Sequence, residues 1–283
     1  MVRIIGFLAG LFFTVVVLWA FATGAYTAAT EGLGEPTAEH EFHRDPKELH
    51  LASDGLFGHW DKQQLQRGMQ VYSEVCAACH SLKLVAFRNL EDLGYDEGQV
   101  KAFAATKQVP GIDPVTGEAT TRPGTPTDYF PSPFANDVAA RAANNNAIPP
   151  DLSLITKARH DGSAYVYSLL TGYQDQPAEL LKEFPDAKTP SGLYYNPYFA
   201  NLNLAMAPPL REGSVSYADG TEATVDQMSQ DVAAFLTWTA EPTLVKRKQT
   251  GWPALLFVLF ATILAYMAKR QVWAPIKPKH RED

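Results

Sequence analysis

Two cysteines and a histidine share one short stretch, Val75-Cys76-Ala77-Ala78-Cys79-His80, and the chain contains no other cysteine. Thiols three residues apart lie on one side of a helical turn, where each can add to a vinyl group of a haem. The imidazole of His80, which follows directly, can then bind the iron. The spacing therefore indicates one covalently bound haem c, attached through Cys76 and Cys79, with His80 as an iron ligand.

Three other uses of this cysteine pair are open at this point. A thioredoxin-like redox pair belongs to a βαβ pattern, whereas the flanking residues here favour helix. A structural zinc site has four ligands, often as two separated pairs, and this chain has one pair. A disulfide between Cys76 and Cys79 would leave His80 without a role. We therefore favour haem attachment.

The second iron ligand of an electron-carrying haem is often a methionine, which raises the reduction potential. Four of the five methionines have another use, as initiator, as part of a C-terminal apolar run, or as residues of predicted helices: Met1, Met267, Met69 and Met228. Met206 lies in the segment AMAPPL, where two prolines favour an extended strap that can cross the haem. We predict Met206 as the ligand, with His160 as the competing candidate.

A helix must position the Cys-x-x-Cys-His stretch. Asp61 can cap a helix that starts at Lys62. Apolar positions then recur at helical spacing, at Leu65, Met69, Tyr72, Cys76 and Cys79. This pattern predicts that both cysteines lie on the apolar face of one helix. Gly68 on the same helix would allow a second helix to cross closely.

Further helices are predicted near residues 89–93 and 96–106, from Asp161 to Gly172, and from Thr224 to the pair Glu241-Pro242. Six prolines between residues 110 and 133 predict an extended loop with turns, and residues 173–203 are expected to be irregular. Four histidines fit no common metal-ligand spacing and are interpreted as solvated side chains: His40, His43, His50 and His59.

Apolar runs lie near both ends of the chain. Residues 252–268 carry no charge over 17 residues, about 25 Å of helix, with basic residues on both sides. Five Lys and Arg follow this run and three precede it, which places the C-terminus in the cytoplasm by the positive-inside rule. The first run, residues 4–22, is either a signal peptide with a cleavage site at Ala20-Phe21-Ala22 or a retained anchor helix.

Charge divides the chain into an acidic body and a basic tail. The net charge is −7, made up of −14 in residues 4–245, +6 from Lys246 onward and +1 at Arg3. An acidic body can attract a basic soluble partner, and a basic tail can contact membrane lipid. We expect no nucleic-acid partner. The predicted organisation is a leader or anchor at residues 1–30, a linker at 31–58, a haem domain at 59–245, and an anchor with a cytoplasmic tail at 246–283.

Four stretches resemble the cytochrome c1 family: residues 68–80 (GMQVYSEVCAACH), 141–160 (RAANNNAIPPDLSLITKARH), 205–210 (AMAPPL) and 231–242 (DVAAFLTWTAEP). The resemblance implies an all-α fold, a class I cytochrome c core with long irregular insertions and a C-terminal single transmembrane helix. It implies haem attachment at Cys76 and Cys79, axial ligation by His80 and Met206, and pairing of a haem propionate with Arg159. It also implies a haem pocket lined by Tyr165, Asn144 and Pro150. Some bacterial members carry an additional cysteine pair near the ligand loop, which this chain lacks.

The family resemblance further implies the function of the chain. Cytochrome c1 is the haem subunit of ubiquinol–cytochrome c reductase, the cytochrome bc1 complex, and is not catalytic alone. It would take an electron from the Rieske iron–sulfur protein and pass it to a soluble cytochrome c. Cytochrome b would be a neighbour in a dimeric complex of the inner membrane, with the haem domain on the periplasmic side. Two alternatives are a free-standing membrane-anchored cytochrome and a haem enzyme with an open iron position.

Overall fold

The computed structural model describes residues 2–30 and 37–276. In chain order the helices are α1 (Val2–Thr30), α2 (Ala38–Phe42), α3 (Lys62–Glu74), α4 (Glu97–Ala105), α5 (Asp137–Ala143), α6 (Ile155–Ala158), α7 (Gly162–Leu170), α8 (Ala178–Glu183), α9 (Val225–Ala240) and α10 (Leu244–Trp273). Short 3₁₀ turns lie at Cys76–Ala78, Phe87–Leu93 and Pro185–Ala187. The strands are β1 (Gln108–Ile112), β2 (Ala119–Pro123), β3 (Tyr194–Tyr195) and β4 (Asn203–Leu204). The prediction of an all-α fold is confirmed.

The chain divides into two compact units, of which the smaller contains Met1–His43 and Gln176–Lys188. Its helix α1 is 29 residues long, exposes its side chains and is apolar enough to cross a membrane. Thr37 caps α2, because its side chain accepts a hydrogen bond from the His40 amide. The rings of Phe42 and Phe184 meet edge to face, with centroids 6.2 Å apart.

The larger unit contains Arg44–Asp175 and Thr189–Asp283, and its core forms where α3 crosses α9. A β-carbon on Gly68 of α3 would overlap the carbonyl oxygen of Asp231 and the β-carbon of Phe235, both on α9. The prediction of a close helix crossing at Gly68 is therefore confirmed. The rings of Tyr72 and Phe235 pack beside this crossing, with centroids 5.9 Å apart.

An ion pair lies at the edge of the same crossing. The Arg67 guanidinium donates from Nε and Nη2 to the two carboxylate oxygens of buried Asp231, at 3.0 and 3.2 Å, and from Nη1 to Asp219 at 2.8 Å. Burial opposes the charged form of Arg67, but the hydrogen bonds to both carboxylates outweigh it and raise the pKa of the guanidinium. The pair thus joins α3 to α9 through a two-point contact with fixed geometry.

Helix caps and ends agree with the predicted positions at α3 and α9. The Asp61 carboxylate accepts hydrogen bonds from the amides of Gln63 and Gln64, and Thr224 accepts one from Gln227. Helix α9 ends at Ala240, directly before Glu241. Asp161 precedes α7 as expected, but its side chain caps no amide. It contacts the His160 ring instead, at 2.9 Å.

Residues 110–133 contain more regular structure than the expected extended loop. Strands β1 and β2 form an antiparallel hairpin in which Pro110 is opposite Thr121 and Pro123 is opposite Gln108. Both strands of a two-stranded hairpin are edge strands, so some of their amides form no hydrogen bond to a neighbouring strand. Proline, which has no amide hydrogen, is tolerated at such positions. The guanidinium of Arg122, in β2, binds the carboxylate of Asp128, which follows the strand, through two hydrogen bonds of 2.7 Å. Residues 173–203, expected to be irregular, contain α8 and strand β3, which pairs with β4.

The segment before α3 is bound to the body of the larger unit. The Arg44 amide donates to the carbonyl of Pro197 at 2.8 Å, and the Lys47 amide donates to Ser168 Oγ at 2.7 Å. Lys47 Nζ donates to Thr171 Oγ1 at 2.8 Å, and Leu51 is buried in the core. Residues 44–58 therefore follow a defined path along the haem domain predicted from sequence.

Helix α10 contains the C-terminal apolar run. It extends from Leu244 to Trp273 over 30 residues and is long and apolar enough to cross a membrane. The predicted C-terminal apolar helix is confirmed. The last basic residues of the predicted cytoplasmic tail, Lys277, Lys279 and Arg281, lie outside the described residues.

Candidate haem site

The two cysteines lie in a 3₁₀ turn that follows α3, and not on the helix itself. Helix α3 ends at Glu74, and Cys76–Ala78 form the turn. Both Cys79 and His80 donate backbone hydrogen bonds to the Cys76 carbonyl, at 3.1 and 2.9 Å. The prediction that α3 continues through both cysteines is therefore wrong, although Leu65, Met69 and Tyr72 form its buried face as expected.

Both cysteines are free, half-buried thiols. Burial, together with the neighbouring Cys79, raises the pKa of the Cys76 thiol to about 12. A redox-active pair of the thioredoxin type works through a thiolate of lowered pKa. The raised pKa of Cys76 therefore argues against that alternative.

The His80 ring is oriented by a main-chain acceptor. Its Nδ1 lies 2.8 Å from the carbonyl oxygen of Pro150, so Nδ1 carries the proton and donates it. This assignment leaves Nε2 unprotonated, as a metal ligand requires. Burial lowers the pKa of His80, opposed by the Pro150 hydrogen bond and by the charge of Asp151. The imidazole is thus held neutral and in the tautomer that presents Nε2 to an iron.

Asp151 fixes the segment that carries this acceptor. Its Oδ2 accepts hydrogen bonds from Ser81 Oγ at 2.7 Å and from the Lys83 amide at 2.8 Å, and its Oδ1 accepts one from the Ser153 amide at 3.0 Å. Burial opposes ionisation of Asp151, but these hydrogen bonds outweigh it and lower the pKa of the carboxyl. The Leu152 amide adds a bond to the Ser81 carbonyl at 2.9 Å. The chain after His80 and the chain after Pro150 are therefore joined side by side.

Two of these positioning residues were not identified from sequence. Asp151 follows two prolines and precedes Ser153, a pattern typical of an Asx turn, and that pattern was the available signal. Tyr72 donates from its hydroxyl to the His80 carbonyl at 2.9 Å. Burial raises the pKa of Tyr72, so the hydroxyl keeps its proton. Tyr72 was predicted as a core residue, and no sequence signal separates that role from its hydrogen bond to His80.

Met206 belongs to a second group of residues that involves α7 and the segment after it. Met206 is half-buried, two residues beyond β4, and its carbonyl accepts a hydrogen bond from the Tyr173 hydroxyl at 3.0 Å. Burial raises the pKa of Tyr173, reinforced by nearby Tyr165. Burial also raises the pKa of Tyr165, and the Arg159 guanidinium beside it opposes this shift. The structure therefore brings Arg159, Tyr165 and Met206 together through Tyr173.

The other candidate ligands have different surroundings. The Met69 sulfur lies 3.9 Å from Ser73 Oγ and 4.0 Å from the Tyr95 hydroxyl. Met228 is fully buried, and its sulfur accepts from Ser214 Oγ at 3.5 Å. The His160 side chain is 98% exposed and contacts Asp161. Among the described residues, these placements favour Met206. Met1 lies outside the described part.

Of the two remaining predicted pocket residues, Pro150 lines the cavity beside the Cys-x-x-Cys-His turn and Asn144 does not. Asn144 follows α5 and donates from its side chain to the Ala140 carbonyl at 2.8 Å. A cavity of about 410 Å³ opens between Ala140 of this helix and the Cys-x-x-Cys-His turn, with Cys79, Lys83 and Pro150 in its lining.

The donor set around the turn fits a c-type haem. Two free thiols lie within one turn, and the adjacent histidine has Nδ1 engaged and Nε2 available. Residues 31–36 and 277–283 aside, the structure contains no cluster of three or more His, Cys, Asp or Glu side chains suited to a metal ion. A haem iron needs no such cluster, because the porphyrin supplies four of its ligands.

Comparison with known proteins agrees with this geometry. The model of the Cytochrome C1 family matches residues 51–276. Cytochrome c1 of Rhodospirillum rubrum is 47% identical over 232 residues, covering 79% of this chain and 85% of that protein. The mitochondrial cytochrome c1-2, heme protein, of Solanum tuberosum is 45% identical over 226 residues, covering 80% of this chain and 84% of that protein. The mitochondrial cytochrome b-c1 complex catalytic subunit of Candida albicans is 44% identical over 240 residues, covering 85% of this chain and 81% of that protein. The chain therefore belongs to the cytochrome c1 family, whose cofactor is haem.

Proposed function

We propose that this chain is the electron-transfer haem subunit of ubiquinol–cytochrome c reductase. The observation that carries the proposal is the His80 ring, held by the Pro150 carbonyl at 2.8 Å beside two free thiols. Family membership and the similarity to a cytochrome b-c1 complex subunit of Candida albicans support assembly into a bc1 complex. The same similarity makes a free-standing anchored cytochrome the less favoured alternative.

The chemistry of the site is electron transfer and not substrate turnover. When bound, the haem supplies a one-electron change at its iron. Cys76 and Cys79 would hold the group through thioether bonds, and His80 would bind through Nε2. The Met206 sulfur would supply the second protein ligand. Binding by both His80 and Met206 would favour electron transfer over the haem-enzyme alternative.

Residues around the ligands would bind and orient the rest of the group. The Arg159 guanidinium is exposed and lies beside the Tyr165 hydroxyl, so both can donate to a propionate carboxylate. Asn144 and Pro150 would line the pocket, and the Pro150 carbonyl has the additional task of orienting His80.

The partners and location follow from the same proposal. The electron donor would be the Rieske iron–sulfur protein, the acceptor a soluble cytochrome c, and cytochrome b a neighbour in a dimeric complex. Helix α10 would anchor the chain in the inner membrane, with the haem domain on the periplasmic side. Residues 4–245 carry a net charge of −14, which would speed association with a basic cytochrome c at low ionic strength.

Replacing the proposed axial ligand tests the closed iron site. We expect Met206→Leu to lose the low-spin spectrum of a His/Met haem and to lower the reduction potential, because a thioether ligand favours the reduced iron. Met228→Leu is the matched control, since its sulfur lies in the core beside Ser214. It should keep both properties. A Met206→Leu protein with an unchanged spectrum would exclude Met206 as the ligand.

Purification in mild detergent tests the assembly. A subunit of the complex should be isolated together with cytochrome b and the Rieske protein, whereas a free-standing carrier would be isolated alone.

A further inference from the structure

We propose that the loop of residues 54–58 rests on the membrane surface, with Leu56 and Phe57 inserted among the lipid headgroups and upper acyl chains of a phospholipid bilayer. The inference rests on the anchoring of α10 in the proposed function. It assigns a second membrane contact, made by the haem domain itself.

The loop exposes two large apolar side chains next to each other. Phe57 is 90% exposed and Leu56 is 53% exposed. Neighbouring apolar side chains of this size on a polar surface are typical of an interaction site. Both residues belong to the larger unit and lie outside the apolar helices.

Hydrogen bonds give this loop a defined shape. The Asp54 carboxylate accepts from the Leu51 amide at 2.8 Å, and the Asp54 amide donates to the Leu51 carbonyl at 2.9 Å. The His59 amide donates to the Ala52 carbonyl at 2.9 Å. Gly58 is buried, and a β-carbon there would overlap the carbonyl oxygens of Ser53 and Asp54. The loop is therefore closed on itself at its base, and its tip residues point outward as part of a built structure.

The base of the loop is bound to the residues from which the anchor starts. Lys248 Nζ donates to the Ser53 carbonyl at 3.0 Å. Lys248 precedes Trp252, the first residue of the uncharged run, by four residues, which is roughly 6 Å along a helix. Trp252 is partly exposed, and tryptophan is enriched at the level of the lipid headgroups. The loop thus lies beside the point at which the chain would enter the membrane.

Other bonds hold the first turns of α10 against the body of the same unit. The Glu241 carboxylate accepts from Arg247 Nε at 2.5 Å and from Lys157 Nζ at 3.4 Å. The Trp60 indole donates to the Pro242 carbonyl at 3.3 Å. Ser53, before the loop, and Trp60, after it, are both hydrogen-bonded to residues near the start of α10. The loop therefore cannot move far from the start of the anchor without breaking these bonds.

The surrounding charges favour lipid over a soluble partner. Lys246 and Arg247 are exposed beside the start of the anchor, where basic side chains can contact phosphate groups. The one carboxylate in the loop, on Asp54, is engaged by a backbone amide. Basic residues combined with outward-pointing Phe and Leu are the composition of segments that lie in the membrane interface.

Photocrosslinking to lipid tests the proposal. The complex isolated from its own membrane is reconstituted into phosphatidylcholine–phosphatidylglycerol vesicles that contain a phospholipid with a diazirine in the upper acyl chain. After irradiation, lipid adducts are mapped by mass spectrometry. We expect adducts on α10 and on residues 54–58. The tip of the β1–β2 hairpin is the control for random collision, because Val115 is 91% exposed, and it should carry none.

A pair of variants sharpens the test. Phe57→Asp should reduce the adduct yield on the loop several-fold relative to that on α10, while Val115→Asp should leave the ratio unchanged. The haem absorption spectrum checks that each variant is folded. Adducts on α10 with none on residues 54–58 would overturn the inference and leave the anchor intact. An absence of adducts on α10 would overturn the anchoring and the inference together. Adducts on the loop that occur only after the chain is separated from its complex would also overturn it, because a partner subunit would then cover the loop.

Discussion

Substituting Gly68 with alanine adds one methyl group at the point where α3 and α9 are closest. A β-carbon at this position would overlap the Asp231 carbonyl oxygen and the Phe235 β-carbon. Neither atom can rotate away, because one belongs to the backbone and the other is attached directly to it. The two helices must therefore separate or shift along each other.

The sign of the effect depends on two opposing terms. Alanine is favoured over glycine in a helix interior by about 1 kcal/mol. Overpacking a core costs about 1–3 kcal/mol, and the upper end applies here because backbone atoms form the obstacle. The expected net result is a loss of about 2 kcal/mol, which corresponds to a fall in Tm of about 4–8 °C for a domain of this size.

Thermal and denaturant unfolding of the full chain with its haem in detergent, followed by haem absorbance, measure this loss. Gly98→Ala is the matched control: it makes the same change on the exposed surface of α4, where the nearest atom to the added β-carbon is a carboxylate oxygen of Asp96 at 3.1 Å. That variant should be as stable as the parent or up to about 1 kcal/mol more stable, because it has the gain in helix propensity without the overlap. A Gly68→Ala protein as stable as the parent would refute the claim that the crossing has no room for a methyl group.

Three further predictions concern single side chains. Asp151→Ala removes the charged acceptor of three hydrogen bonds. It should lower the free energy of unfolding by about 3 kcal/mol in a denaturant titration. A loss under about 1 kcal/mol would contradict the positioning role of Asp151. Tyr173→Phe removes the donor to the Met206 carbonyl. It should lower the free energy of unfolding by about 1 kcal/mol and raise the affinity of added imidazole for the iron. An unchanged affinity would show that other contacts hold the segment around Met206. Hydrogen bonds from the Thr221 amide and from Arg67 lower the pKa of Asp219 from 3.8 to about 2. Ionised Asp219 therefore stabilises the fold above pH 4, and this contribution is lost as the pH falls from about 4 toward 2; Asp219→Asn should show a shallower loss in that window, and an identical acid profile would argue against the contribution.

Helix positions could be predicted because they depend on local patterns, and the assignment of residues 76–80 to haem rests on a local pattern as well. Asp61 and Thr224 are caps that act within three residues, and the buried face of α3 follows the helical period. Gly68 could be recognised because a glycine within an amphipathic helix has few other uses. Met206 as the second ligand stays a prediction, which rests on elimination and on two prolines that are visible in the sequence.

Features decided by distant contacts could not be predicted in the same way. Ala77 and Ala78 favour helix, yet the chain leaves the α-helical path after Glu74, where Tyr72 and Pro150 hold His80 by hydrogen bonds. The prolines of the β1–β2 hairpin favour a loop prediction, because proline normally interrupts a strand. At the edge of a sheet proline does not disrupt the pairing. Two of the three donors to Asp151 are about 70 residues away, so the local pattern indicates only the bond from the Ser153 amide.

The orientation of His80 has a consequence for how this site responds to mutation. Its acceptor is the main-chain oxygen of residue 150, which every amino acid possesses. A substitution of Pro150 therefore cannot delete the hydrogen bond, and can only move the oxygen by changing the path of the chain. That path is set one residue later by the Asp151 side chain. The orientation of the imidazole therefore depends on Asp151, a residue that makes no hydrogen bond to the ring. In the proposed haem site, a change of reduction potential through the His80 ring should begin with the donors to Asp151, because the acceptor of the ring is a backbone oxygen with no side chain to adjust.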